Sequence, residues 1–289
     1  MLNKTPMLSF PNAKINLGLH ITAKRPDGFH DLESCFYPVG WTEVLEIIES
    51  DALAFTSSGI AIPGNADNNL CLKAYRILEK DFGLLPVHIH LHKAIPIGAG
   101  LGGGSADAAF ALKLLNTKFD LRLTDDQLED YARPLGSDCA FFVRNQPRFA
   151  YDKGDRFEET PVSLEGFFLT LVYPDIHVST AEAYAGIRPK KPEIPLKTIL
   201  ARPVSEWKHT LANDFEAGVF ARHPALASIK EKLYESGAVY ASMSGSGSTI
   251  YGIFAREMDW GDIFPAEYSV WQSPTKSLPP APSERGGAM

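Results

Sequence analysis

Pro96-Ile97-Gly98-Ala99-Gly100-Leu101-Gly102-Gly103-Gly104-Ser105-Ala106-Asp107 lies in the middle of the chain. Glycine at this density leaves backbone N–H groups open to anything docked against them. The residues that follow, through Asn116, are strong helix formers with apolar positions at helical spacing. Loop donors and the positive end of the helix therefore converge on one point, which is a cradle for phosphate. The Walker pattern needs Lys and then Ser or Thr after its last glycine, and Gly104 is followed by Ser105 and Ala106, so the stretch is not a Walker loop. Gly98-x-Gly100-x-x-Gly103 matches the dinucleotide fingerprint, with Asp120 as the ribose acid. Pro96 and three consecutive glycines make a wider loop than that fingerprint uses, and it lies deep in the chain. A flexible linker would not be flanked by an alternating strand and an apolar helix.

Upstream of the loop, Val87-His-Ile-His-Leu-His92 alternates strictly, placing His88, His90 and His92 on one strand face. With no carboxylate or cysteine at ligand spacing, they read as the solvent face of an antiparallel strand rather than a metal site. Farther upstream, Ile15, Leu17, Leu19 and Ile21 alternate with Lys14, Asn16, Gly18 and His20, so Lys14 and Asn16 share a strand face. Arg25-Pro-Asp-Gly28 is a turn leading into Phe29, His30, Phe36 and Tyr37, and a strand follows through Ile48. Asn68 to Lys80 reads as a helix with Asp67 or Asn68 as its cap.

Downstream, Thr124-Asp-Asp-Gln127 is a capping box opening a helix that Gly136 closes. Asp138 then stands before an apolar run, where it suits either a helix cap or a catalytic carboxylate. Asp152-Lys-Gly-Asp155 is a hairpin turn, and Phe167 to Tyr173 opens a new strand. These place a boundary near residue 160, giving an N-terminal domain over 1–160, a C-terminal one over 161–272 and a disordered tail over 273–289. Within the second domain 190–203 is loop-like, 225–236 is an amphipathic helix, and 238–255 is a hairpin broken by a second glycine-serine loop, Met243 to Thr249.

The 289 residues are 45% hydrophobic and 22% charged, the balance of a globular protein with a large core. A net charge of −7 with dispersed basic residues argues against nucleic acid as partner. Cys35, Cys71 and Cys139 are odd in number and unsuited to metal spacing, and no stretch has the length of a membrane span, so we expect a cytoplasmic chain with reduced thiols and no membrane partner. Asp81-Phe-Gly83 lacks the rest of the protein-kinase signature and is coincidental.

Pro11-Asn-Ala-Lys-Ile-Asn-Leu17, the loop from Pro96 and Ser242-Met-Ser-Gly-Ser-Gly-Ser248 occur together and in this order, and on them the chain resembles the GHMP small-molecule kinases. The resemblance runs to about residue 255. It implies an α+β fold of two domains, a ribosomal-protein-S5-like N-terminal one and a ferredoxin-like C-terminal one, with the active site in the cleft between them. ATP phosphates would lie over Pro96, Ile97, Gly98, Ala99, Gly100, Leu101, Gly102, Gly103, Gly104, Ser105 and Ala106, with Asn69 and Lys93 towards the adenosine. Mg²⁺ would accompany the nucleotide, its protein ligands unknown. Lys14 and Asp138 match the catalytic pair. Arg25 to His30 and Leu135-Gly-Ser-Asp138 resemble the branch that phosphorylates the 2-hydroxyl of a cytidine diphosphate-linked methylerythritol in non-mevalonate isoprenoid synthesis; homoserine- and mevalonate-type kinases are the alternatives, and a catalytically dead ligand sensor would have lost Lys14 and Asp138. Phe29 and Tyr184 would stack on the cytosine, His30 would read its edge, Asn16 would orient the hydroxyl, and Phe36 and Thr180 would touch the rest of the acceptor. The chain departs from the common pattern in having Phe29 for a frequent tyrosine and Ala106 for a frequent second serine.

Overall fold

The computed structural model describes residues 6–275. In chain order its elements are β1 (Met7–Ser9), β2 (Asn12–Lys24), β3 (His30–Thr42), β4 (Val44–Glu49), β5 (Ala54–Gly59), α1 (Leu70–Phe82), β6 (Val87–Lys93), α2 (Gly103–Lys118), α3 (Asp125–Ala132) and α4 (Cys139–Arg144). There follow β7 (Arg148–Tyr151), β8 (Arg156–Glu159), β9 (Phe168–Tyr173), α5 (Thr180–Tyr184), α6 (Leu196–Leu200), α7 (Glu216–Arg222), α8 (Pro224–Glu235), β10 (Tyr240–Met243), β11 (Ile250–Phe254) and β12 (Ser269–Pro274). The strands form three four-stranded sheets, ordered β1-β4-β6-β5, β2-β3-β7-β8 and β10-β11-β9-β12. Among these pairings only β5 with β6 is parallel.

The alternating residues of β4 and β6 bury Leu45, Ile47, Ile89 and Leu91 against the apolar stripes of α1 and α2, including Tyr75, Leu78, Leu112 and Leu115. A second cluster joins the halves of the chain: Ala13, Ile15 and Leu17 from β2 pack with Leu169, Leu171, Tyr240 and Tyr251. The passage from β8 to β9 is therefore a change of sheet, not of core. On the far side of the third sheet, Val172, Met243 and Ile250 pack against Leu226, Ile229 and Leu233 of α8.

Several local expectations change. The cap of α1 is Asn69, whose side chain accepts from Cys71 N at 2.8 Å, and not Asp67 or Asn68. The 190–203 segment contains α6. Ser273 does not begin a tail: β12 runs to Pro274 opposite Phe168, and Thr275 N bonds Phe167 O at 2.8 Å, while the remainder of the expected tail lies outside the described residues. In β2 a register shift between Leu17 and Leu19 leaves Gly18 as a bulge with φ +69°. The shift hands the alternation over, so Leu19 and Ile21 join a different cluster from Ile15 and Leu17. His20 accordingly leaves the face of Lys14 and Asn16.

Candidate active site

Gly98, Gly100 and Gly102 all take left-handed φ, at +68°, +78° and +71°, which turns successive N–H groups inward before α2 begins at Gly103. Gly100 is also required by contact: a Cβ there would lie 2.1 Å from Ser244 O. The second glycine-serine loop thus clasps the first, with Ser244 Oγ donating to Gly100 O at 2.8 Å and Thr249 N to Ala99 O at 3.2 Å. A cavity of about 520 Å³ opens over the first loop, walled at its far end by Phe55, Ile62, Pro63, Asn69 and Leu70. That combination, polar backbone at one end and apolar wall at the other, suits a nucleotide.

Not every loop residue faces the cavity. Leu101 is 1% exposed and Ala106 is fully buried, both in core clusters, and Ala106 N is spent on Gly102 O inside the helix. At 106 any side chain points into the core beneath α2. Leu101 instead serves through its carbonyl, which accepts from Lys14 N at 2.9 Å.

That bond brings Lys14 to the loop. Lys14 Nζ lies 2.5 Å from Asn16 Oδ1, 3.3 Å from Gly100 O and 3.4 Å from Asp138 Oδ2, above the Phe36 ring at 4.8 Å. Three acceptors meet three N–H donors, which fixes the ammonium although the residue is 4% exposed. Asn16 is itself oriented, donating to Ser34 Oγ at 2.9 Å. Asp138 precedes α4 without forming a capping bond, so its carboxylate is not consumed by the helix. Of the two roles the sequence leaves open, the cap is excluded.

Phe36 is 3% exposed, edge-on to Phe141, and its ring is the platform under Lys14. At the other end of the β2–β3 hairpin, His30 stacks on Tyr184 with centroids 4.8 Å apart, and Tyr184 stands edge-on to buried Phe215. Phe29 is not brought to this pair; it is 61% exposed at the hairpin tip, beneath Lys153 Nζ at 5.4 Å. Thr180 sits exposed in the first turn of α5, one turn before Tyr184. Arg25 ties the tip down through Asp31 at 2.7 Å and through Asp152.

Lys93 reaches the cavity wall from beneath and is held by two carboxylates, Glu43 Oε1 at 2.5 Å and Asp107 Oδ2 at 2.8 Å. Burial, reinforced by the neighbouring Asp107, pushes the Glu43 carboxyl up to about 7 despite the lysine. Sequence reading missed Glu43 and Asp107. Asp107 follows Gly103 by one helical turn, the single signal that it shares the buried face beneath the loop. Asn213 was missed as well; its amide donates to Met243 O and Gly245 O, both at 2.8 Å, and so shapes the second glycine loop. The three strand histidines lie on the outer face of the first sheet, bridged by Thr56 and Ser58, and no cluster of three metal-binding side chains occurs among the described residues. Nor is any described helix long and apolar enough to cross a membrane.

A backbone cradle without a Walker lysine, facing a lysine and a carboxylate supplied from distant parts of the chain, defines a kinase that passes phosphate to a small alcohol. Residues 69–146 match the GHMP kinases N terminal domain and 197–262 the GHMP kinases C terminal domain. A 4-diphosphocytidyl-2-C-methyl-D-erythritol kinase of Cytophaga hutchinsonii is 55% identical over 249 residues, 86% of this chain and 92% of that one. One of Bacteroides thetaiotaomicron is 54% identical over 264 residues, covering 88% and 96%. A crystal structure of 4-(cytidine 5'-diphospho)-2C-methyl-D-erythritol kinase superposes with TM-score 0.74 at 29% identity, over 86% of this chain and 90% of the other. A homoserine kinase of Cytophaga hutchinsonii shares the fold with TM-score 0.70 at 17% identity, over 94% and 96%. The chain belongs to the GHMP kinases, in the family of the 4-diphosphocytidyl-2-C-methyl-D-erythritol kinases.

Proposed function

We propose that the enzyme transfers the γ-phosphoryl group of ATP to the 2-hydroxyl of 4-diphosphocytidyl-2-C-methyl-D-erythritol, with Lys14 and Asp138 as its catalytic pair. The observation that carries the reading is the convergence of Lys14 and Asp138 beside the glycine loop, where Lys14 also bonds Gly100 O. The hydroxyl oxygen bonds to the γ-phosphorus, the bond from that phosphorus to the β-bridging oxygen breaks, and ADP leaves. Asp138 takes the hydroxyl proton, and Lys14 places positive charge on the oxygens that gain it in the transition state. The lysine supplies what a Walker lysine supplies elsewhere, from a strand more than eighty residues upstream.

Mg²⁺ bound with the nucleotide would neutralise charge on the leaving phosphates. The donor set fits an ion held chiefly by phosphate oxygens and water, with Ser105 Oγ a neutral protein oxygen next to the glycine loop on the cavity wall. For the acceptor, Tyr184 offers a ring to stack on cytosine, Phe29 a second aromatic surface, His30 polar atoms for the base edge, and Asn16 an amide for the hydroxyl. Thr180, exposed one turn from Tyr184, would contact the diphosphate part. We place the enzyme in the cytoplasm, where its three buried, unpaired thiols stay reduced. A panel of alcohols with ATP tests the reading: the cytidylated methylerythritol should be phosphorylated, whereas turnover of homoserine or mevalonate without it would overturn the proposal.

A further inference from the structure

β5 ends one edge of the first sheet and pairs with β6 alone. Its sequence, Ala54-Phe-Thr-Ser-Ser-Gly59, is small and polar, and Phe55 is its one half-buried residue, packed on the first core cluster. An edge strand with so little burial opens easily. Yet the face of β5 that carries Phe55 and Ser57 walls the nucleotide cavity, and the chain continues along that wall through Ile62, Pro63 and Asn65 until Asn69 caps α1. From residue 60 to residue 68 the segment is exposed apart from half-buried Ile62, so its place is set from its two ends.

The second observation lies on the opposite face of the strand. Alternation turns Thr56 and Ser58 away from the cavity and towards the histidines of β6. Thr56 Oγ1 stands 2.8 Å from both His88 Nε2 and His90 Nδ1, and Ser58 Oγ stands 3.0 Å from both His90 Nε2 and His92 Nδ1. A hydroxyl donates one hydrogen bond and accepts another, and a neutral imidazole does the same with its two nitrogens. The ladder from His88 through Thr56, His90 and Ser58 to His92 therefore closes in either direction, whichever tautomers are present. It adds four side-chain bonds to the backbone pairing of the edge strand, just before Ile60 N donates to Lys93 O at 2.9 Å.

We propose that this ladder positions the nucleoside wall: Thr56 and Ser58, gripped by the three histidines, hold β5 and the segment after it where they meet the adenosine of ATP. None of the five ladder residues lines the cavity, so they act through Phe55, Ser57 and the segment beyond, as positioning residues. The inference rests on ATP as the occupant of that cavity. Only molecules with the wall in place bind nucleotide at full strength, so cutting the ladder lowers the apparent affinity by the fraction that has lost it. The chemistry is spared, because the phosphate donors are backbone groups of the glycine loop and Lys14 and Asp138 stand on β2 and before α4.

Steady-state kinetics on the full chain tests the ladder. Thr56→Val with Ser58→Ala keeps both side chains close in size and removes all four bonds. We expect KM for ATP to rise about 5-fold or more, kcat at saturating ATP to stay within about 2-fold, and KM for the alcohol acceptor to be unchanged. Amide hydrogen exchange over residues 54–66 should quicken in this variant while that of α2 does not. His90→Phe, which cuts the middle two bonds from the other strand, should raise KM for ATP as well, and Thr56→Ser with Ser58→Thr, which keeps both hydroxyls, should retain the parent value. Failure of the functional reading would show in the parent enzyme, as no saturation with ATP, and would take the proposal with it. Failure of the proposal alone would show as a parent that saturates and a hydroxyl-free variant with the same KM for ATP, or as a loss of kcat and melting temperature with that KM unmoved.

Discussion

Lys14 and Lys93 stand on either side of the phosphate loop, each 4% exposed, and burial alone does not tell them apart. Their partners do. Lys14 faces one carboxylate, Asp138, whose side chain is 26% exposed, and fills its remaining donors with neutral oxygens from Asn16 and Gly100. Lys93 is enclosed by Glu43 and Asp107, whose side chains are 0% and 5% exposed. The first arrangement leaves a carboxylate open to a proton from outside; the second closes a cluster of two acids and one base on itself. A buried lysine in this fold is thus poised for chemistry only where its carboxylate partner is open.

The largest effect that could break this comparison is on turnover. Asp138→Asn keeps the shape and removes the proton acceptor, so kcat should fall by about 10³-fold, equivalent to about 4 kcal/mol, with the melting temperature unchanged. Lys14→Met should do likewise. Pre-steady-state phosphoryl transfer would show whether chemistry, not product release, is what slows. If Asp138→Asn turned over at the normal rate, the assignment of the pair would fail while the nucleotide cavity stood.

Lys93→Met should reverse the pattern. Two carboxylates then lie buried without their cation, and the expected cost is about 3 kcal/mol of stability, read from denaturant midpoints. Turnover at saturating ATP should stay within about 10-fold of the parent, since the loop's donors come from backbone. A variant that lost turnover but not stability would place Lys93 among the reacting groups.

The same cluster predicts a pH signature. Glu43 is raised from its ordinary 4.5 to about 7, with burial as the first cause and the neighbouring Asp107 second. Between those values the folded protein keeps a proton that the unfolded chain releases. Its contribution is therefore present in full at the acidic end, is lost as pH rises towards 7, and is flat above. Glu43→Gln should remove this slope, so the stability difference between the parent and this variant should change by up to about 3 kcal/mol from pH 4.5 to pH 8. A difference independent of pH would show that Glu43 is ionised throughout.

How much of this was legible in the sequence follows from the range of each signal. The phosphate loop, the hairpin turn at 152–155 and the capping box at Thr124 are local, and the box forms as the spacing requires, with both of its hydrogen bonds. The strand face shared by Lys14 and Asn16 was legible from period two, but not where that period breaks, because Gly18 as a bulge looks like any strand glycine until its neighbours Leu196 and Leu211 are in place. Glu43 and Asn213 were illegible for the same reason. Each is a polar residue whose partners arrive from fifty or thirty residues away, and a single sequence holds no record of such contacts. Ala106 is a different case: it lies where the loop has already become helix, and its side chain joins the core.

The smallest effects lie at the acceptor end and sharpen a different contrast, that between an anchored ring and a free one. Tyr184 is braced by His30 on its face and by Phe215 at its edge, so its plane is set before any base arrives. Among the described residues the Phe29 ring has just the Lys153 ammonium above it, and it is largely in solvent. A preorganised ring contributes its full stacking energy, whereas a free one first loses the entropy of being ordered. Tyr184→Ala should therefore raise KM for the cytidylated acceptor by about 10-fold or more, leaving KM for ATP unchanged. Phe29→Ala should raise it by about 3-fold, and Phe29→Tyr, which adds only an exposed hydroxyl, by less. If Phe29→Ala proved the costlier of the two truncations, the hairpin tip must close over the base and acquire on binding the bracing that Tyr184 already has.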